Sequence, residues 1–195
     1  MYVSRSRPPS TRTRERIVAA VHALLEEGTF HESTVEEVAA RAGVSRATLY
    51  QHFGSRLGLV DAMCETFDAN PALVALRQTD DVDQFVDRVV EFWAAEERVL
   101  VQLYGVAAVD PAARDLVERQ RRDRQSELRR LLAALGIRDR SALAALSVLT
   151  SFETYLELRR HNRLSKREVT RTLQETARAL RVSAAATSAA AETTD

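Results

Sequence analysis

A guanidinium, two hydroxyls, a carboxamide and an imidazole crowd into the stretch RATLYQH, at Arg46, Thr48, Tyr50, Gln51 and His52, with the methyl of Ala47 among them. Such a set donates and accepts hydrogen bonds and carries positive charge. The residues that must position it lie on its flanks. Ser33 with Glu36, and one step behind Thr34 with Glu37, form a capping-box pattern that starts a helix. Val35, Val38, Ala39 and Ala42 then recur at helical spacing, and Gly43 supplies the positive-φ residue that stops it. Val44 can plug the gap before the next helix, Ser45 can cap it, and Leu49 with Phe53 gives it a narrow apolar seam. A helix with so thin an apolar stripe must lean on neighbours and offers its polar face outward. Short helix, glycine turn and short helix make a helix-turn-helix, which points to DNA. An ordinary corner between two helices is the competing reading, but Ala39, Gly43 and Val44 fall together at the offsets the motif needs.

At these residues the sequence resembles the DNA-binding region of the tetracycline-repressor (TetR) family of bacterial regulators. The likeness covers roughly residues 12 to 62: a first helix with Ile17, Ala20, Leu24 and Leu25, then Gly28, Phe30, TVEEVAARAGVS, the LYQHF run and Ser55-Arg56. Beyond about residue 70 only the all-helical character matches. The resemblance implies that Arg46, Ala47 and Thr48, behind the cap Ser45, read base edges in the major groove. It places Tyr50 and His52 on the phosphate backbone, with Gln51 able to reach either. Thr34 would donate to a phosphate at a helix N-terminus, and Arg56 would touch phosphate where the family usually has lysine. The chemistry suits these roles: an arginine fork binds guanine O6 and N7 together, and the Ala47 methyl can pack on a thymine methyl. Leu57-Gly58 departs from the family pattern of an acid and a helix former, so the fourth helix is expected to start loosely or to be displaced by a residue or two.

The chain has 195 residues, 45% hydrophobic, with a formal net charge of +0. Zero net charge sits awkwardly with DNA binding, but Arg5, Arg7, Arg12, Arg14 and Arg16 face Glu15 alone in the first 25 residues, a local basic face. Residues 1–11 read as a flexible basic arm whose Arg5 and Arg7 can reach a minor groove or do nothing. Residues 12–54 form the helix-turn-helix domain, 55–182 a helical ligand-binding and dimerisation domain, and 183–195 a disordered tail. No apolar run approaches a membrane span and no signal-peptide core is present, so the expected location is the cytoplasm.

The expected fold is all-α with about nine helices, three in the N-terminal domain. Helix four runs from about Ser55 to Asp68 and stops at Asn70-Pro71. Asp110-Pro111 opens a long helix closed by Gly136, another spans about Asp139 to Arg160, and Ser165 with Glu168 caps the last, which ends near Arg181. Ala142, Ala145, Leu146 and Leu149, with Leu173, Ala177 and Leu180, mix small and large residues as a two-fold four-helix interface does, and the resemblance implies the same homodimer. Two half-sites also supply affinity that one short reading helix lacks, so a palindromic double-stranded operator is expected. Phe92, Trp93, Tyr104, Phe152 and Tyr155 are candidate pocket residues for an unknown small-molecule effector. Arg119, Arg121, Arg122, Arg124, Arg129 and Arg130 interleave with Glu118, Asp123 and Glu127, the pattern of a salt-bridged solvated face.

Catalysis is not expected: the chain has no glycine-rich phosphate loop and no nucleophile elbow. His22, His31, His52 and His161 are scattered, so neither a metal nor a cofactor is expected. Cys64 is the only cysteine, which excludes intramolecular disulfides. The competing functional class is a helical dimeric protein-interaction or redox-sensing (Cys64) module without an effector, against which Arg46, Thr48 and Tyr50 on an outer face argue.

Overall fold

A computed structural model describes residues 11–192, with side chains as far as Val182 apart from residue 112. The arm lies outside the described residues except for Thr11, so Arg5 and Arg7 receive no placement. Among the described residues every element is helical, eleven α-helices with a 3-10 and a π turn. The all-α expectation holds, and the chain divides into two units.

The first unit comprises residues up to Phe67 together with Arg98–Val117. It contains α1 (Thr11–Glu27), α2 (Val35–Ala42), α3 (Arg46–Phe53) and α4 (Arg56–Cys64). Helix α1 packs on α2 and α4, while α3 touches α2 and α4. Ile17, Val21, Leu25, Val38, Leu49, Leu59 and Met63 are buried to 2% exposure or less and form the shared core. Because α4 packs on α1, it falls with the N-terminal helices and not beyond a boundary at residue 54. Within Arg98–Val117, Leu100 and Leu103 of α7 (Glu97–Ala107) are buried, as are Ala113, Leu116 and Val117 of α8 (Pro111–Ala134).

The second unit comprises Asp68–Glu97 and the chain from Glu118 onward. Its α6 (Val82–Ala95) packs against α5 (Pro71–Leu76), α10 (Phe152–Leu156) and α11 (Lys166–Glu192), and α11 also packs on α9 (Arg140–Leu149). Phe85, Val86, Val89 and Val90 of α6 and Val169, Leu173 and Ala177 of α11 carry its core. Two of the α8 arginines pair with interleaved acids, Arg121 with Glu118 and Arg130 with Glu127; Arg121 also reaches Glu153 of α10, and Arg124 donates to the Ser147 carbonyl and the Thr150 hydroxyl.

Four helix boundaries differ from the sequence expectation, each for a local reason. Asn70-Pro71 not only stops the fourth helix but starts a fifth, because the Asn70 carboxamide oxygen accepts from the Ala72 amide at 3.0 Å and Pro71 takes the first helical position. Ahead of it, α4 decays into a 3-10 turn over Glu65–Ala69. The single helix expected over 139–160 breaks at Thr150-Ser151. The Thr150 hydroxyl bonds back to the Leu146 carbonyl at 2.8 Å, Ser151 caps a new helix through the Thr154 amide, and a π turn follows at Glu157–His161. The last helix opens with the expected box, Ser165 N–H to Glu168 at 2.8 Å and Glu168 N–H to Ser165 Oγ at 3.3 Å. It continues past Arg181 to Glu192, since SAAATSAAAE is rich in alanine, the strongest helix former.

Candidate nucleic-acid interface

The helix-turn-helix is pinned at each junction by a specific cap. Of the two overlapping capping boxes in the sequence, the structure uses Thr34 and Glu37: the Thr34 amide donates to Glu37 Oε2 at 2.6 Å and the Glu37 amide to Thr34 Oγ1 at 3.2 Å. The Thr34 amide and then its hydroxyl hold the Glu37 carboxyl below the usual carboxylate range. Gly43 ends α2 in the left-handed region at φ 64°, and the Val44 amide reaches back to the Ala39 carbonyl at 2.9 Å. Arg16 of α1 donates to the carbonyls of Ala42 and Gly43, which fastens the turn to the first helix. Ser45 then caps α3 through the Thr48 amide at 3.1 Å, while the two hydroxyls lie 2.8 Å apart. Leu49 is the buried anchor of α3.

This scaffold gathers part of the sequence-derived set on one outer surface. Arg46, Ala47, Tyr50 and Gln51 are exposed along α3, Thr48 is half-buried beside them, and Ser45 and Thr34 are exposed at the helix starts. The Arg46 guanidinium lies over the Tyr50 ring, 5.4 Å from its centroid, and Arg46 Nη1 meets Glu36 Oε1 at 2.5 Å. The arrangement offers hydrogen-bond donors, methyl groups and an aromatic face on the exposed side of a short helix, which suits reading a groove.

Two of the expected contacts turn inward. Arg56 donates to the carbonyls of Phe30 and Ser33 and stacks over the Phe30 ring at 4.3 Å, and burial lowers its pKa from the ordinary value. It therefore ties the start of α4 to the loop before α2, and its guanidinium is occupied within the unit. His52 has its Nε2 buried with no hydrogen-bond partner among the described residues, and its ring stacks on Phe53 at 5.7 Å. Burial first, and the Arg14 charge second, lower its pKa from the usual value. Arg14 lies over the Phe53 ring at 5.5 Å and pairs with Glu65 at 2.6 Å. The roles of Arg14 and Arg16 had no pattern in the sequence beyond general charge, because their partners lie 26 to 51 residues away, and Glu36, which the sequence offered as a capping acid, instead pairs with Arg46 of the next helix.

The fourth helix does not start loosely. Ser55 caps it at Arg56 by accepting from the Gly58 amide at 3.0 Å. A Cβ at Gly58 would lie inside van der Waals contact of the Phe53 carbonyl oxygen, so the glycine permits a tight passage from α3 into α4.

In the second unit, Phe92, Trp93, Phe152 and Tyr155 form one chain of buried rings, with centroid separations of 5.1, 5.4 and 6.0 Å. Their polar handles already have partners: the Trp93 indole N–H donates to the Thr150 carbonyl at 3.2 Å and the Tyr155 hydroxyl to Glu97 Oε2 at 2.9 Å. Burial and then the Glu97 carboxylate push the Tyr155 pKa up to about 12. Tyr104, the fifth candidate, belongs to the first unit and is half-buried. Two surface clefts of about 490 and 270 Å³ flank Lys166 and Thr170, and their described linings include none of the five aromatics. Of the expected interface residues, Ala142, Leu146, Leu173 and Ala177 are buried within the chain, where α9 packs on α11. Ala145, Leu149 and Leu180 are half-exposed, and Val148, absent from the sequence-derived set, is 68% exposed between the first two.

Comparison with known proteins agrees with this geometry. The family model described as bacterial regulatory proteins, tetR family, matches residues 17–63. The HTH-type transcriptional activator FasR of Mycolicibacterium smegmatis is 36% identical over 87 residues, 43% of this chain and 39% of that protein. The HTH-type transcriptional regulator UidR of Escherichia coli is 33% identical over 79 residues, 40% of each chain. The matches thus span about two fifths of these relatives' length. The fold extends further: the structure of Salmonella enterica GusR superposes with a TM-score of 0.69 at 20% identity, covering 91% of this chain and 98% of that one. Residues 17–63 thus resemble the helix-turn-helix region of the TetR family of bacterial regulatory proteins.

Proposed function

We propose that the protein is a homodimeric repressor that binds a palindromic DNA operator through α3 and is released by a small-molecule ligand bound in its second unit. The observation that carries the DNA-binding reading is the exposed surface of α3, where Arg46, Ala47, Tyr50 and Gln51 stand beside two capped helix N-termini. Helix N-termini and an exposed arginine at the start of a helix suit a phosphate-lined groove with base edges at its floor. A reading helix of 8 residues contacts few base pairs, so two copies at half-sites roughly 34 to 36 Å apart supply the affinity. The exposed Val148 of α9, with Ala145 and Leu149 beside it on that helix, and the half-exposed Leu180 of α11 support pairing of α9 and α11 with their symmetry mates. Ligand binding then shifts the population between states that hold the two reading heads at different separations.

Fluorescence anisotropy on duplexes from beside the protein's own gene, at two salt concentrations, tests the reading. Tight, salt-dependent binding is expected. Arg46→Ala should lose about 1–3 kcal/mol of discrimination at one base position, and Tyr50→Ala should weaken all sequences evenly. Binding no tighter than to random DNA, together with an empty genome-wide selection, would sink it.

A further inference from the structure

Arg46 is held from two sides. Its Nη1 meets the Glu36 carboxylate of α2 at 2.5 Å, and its guanidinium carbon lies 5.4 Å from the centre of the Tyr50 ring, one turn further along α3. Both charged side chains are more than half exposed, at 61% and 55%, so the pair sits on the surface that the proposed function turns toward DNA. An exposed pair of this kind adds little to stability. Its larger effect is on where the guanidinium can go. An unrestrained arginine at this place can lie on a phosphate of any sequence, which adds affinity without information. Glu36 satisfies Nη1 with an anion already, and its negative charge opposes a phosphate approaching from that side. The remaining donors of the fork suit a base edge that offers two acceptors at once.

We propose that Glu36 is a specificity-determining residue: it withholds Arg46 from phosphate and so lowers affinity for arbitrary DNA more than affinity for the operator. The inference rests on the DNA-binding reading of α3. Glu36 is a positioning residue in this scheme, acting through Arg46 and making no base contact of its own.

The test uses the full chain and two labelled duplexes, one selected from a randomised library by the wild-type protein and one with its sequence shuffled. Glu36→Ala should tighten binding to the shuffled duplex about tenfold and to the selected duplex far less. The slope of log affinity against log salt on the shuffled duplex should steepen by about 0.9, the signature of one further phosphate neutralised. Glu36→Gln keeps the side-chain size and an acceptor oxygen, and should give the same change if the alanine variant folds poorly. In an Arg46→Ala background, Glu36→Ala should change nothing by more than about twofold. Equal tightening on both duplexes, or the same tightening without Arg46, would mean that Glu36 acts only as bulk negative charge, and the proposal would fall while the DNA-binding reading stood. A wild-type protein that selects no sequence from the library removes the reading itself, and the proposal with it.

Discussion

His52 and Thr34 show how a side chain's local partners decide what it can offer. The buried, unpartnered Nε2 of His52 favours a neutral ring, and its pKa lies below the ordinary 6.5. As pH falls through 6.5 the unfolded chain takes up this proton before the folded one does, so His52 contributes stability above that pH and loses it below. Urea melts at pH 7.5 and 5.5 should therefore show a larger drop for wild type than for His52→Gln; equal drops would contradict the assignment. A phosphate contact would reverse the preference, since an anion favours the charged ring, and operator affinity would then rise as pH falls only while His52 is present. The Thr34 hydroxyl is engaged twice by Glu37, as acceptor from its amide and as donor to its carboxylate at 3.1 Å. Thr34→Ala should cost about 1 kcal/mol in thermal denaturation and Thr34→Ser much less. The residue types on α3 were legible in the sequence because the motif is local. The inward turn of Arg56 was not, because its partners at Phe30 and Ser33 are 26 and 23 residues away.

Helix α4 begins where intrinsic propensity argues against it. Replacing a glycine inside a helix by alanine ordinarily gains roughly 1 kcal/mol. Gly58→Ala should instead destabilise the first unit, because the added methyl meets the Phe53 carbonyl; a stabilised variant in a denaturant titration would refute the close passage. At α3 the dependence runs the other way: Leu49 is its buried residue, so Leu49→Ala should cost about 2–5 kcal/mol and abolish DNA binding with α3 undocked. The caps of α2, α3, α8 and α11 could be read from short patterns, since a capping residue and its amide lie within one turn of each other. The break at Thr150-Ser151 could not, because each residue alone is tolerated within a helix and the interruption depends on a hydroxyl bonding back one turn while its neighbour starts a new one. Helix α5 was hidden for a related reason: Asn-Pro serves both as a stop and as a start, and only the packing of the residues after Pro71 decides between them.

At the scale of the whole molecule, the division into units reflects pairing between distant segments. Arg98–Val117 joins the N-terminal helices although thirty residues of the other unit precede it, and no local pattern announces such a return. The rings of Phe92, Trp93, Phe152 and Tyr155 meet one another, and the spacing of aromatics in a sequence does not separate stacked rings from rings lining a space. Small and large residues on α9 and α11 were similarly ambiguous, and burial assigns Ala142, Leu146, Leu173 and Ala177 to the chain's own core while leaving Val148 outside. If that outer face joins two copies, Val148→Glu should turn a dimer into a monomer in sedimentation equilibrium and weaken operator binding about a hundredfold. A wild-type monomer would refute the pairing. The one tryptophan of the chain, Trp93, sits among the rings of Phe92 and Phe152 in the second unit. Its emission is thus a built-in dye for that unit alone, blue-shifted while the rings stay packed and silent about the reading head. Unfolding followed by this light and by far-ultraviolet dichroism will coincide only if the two units melt as one cooperative body.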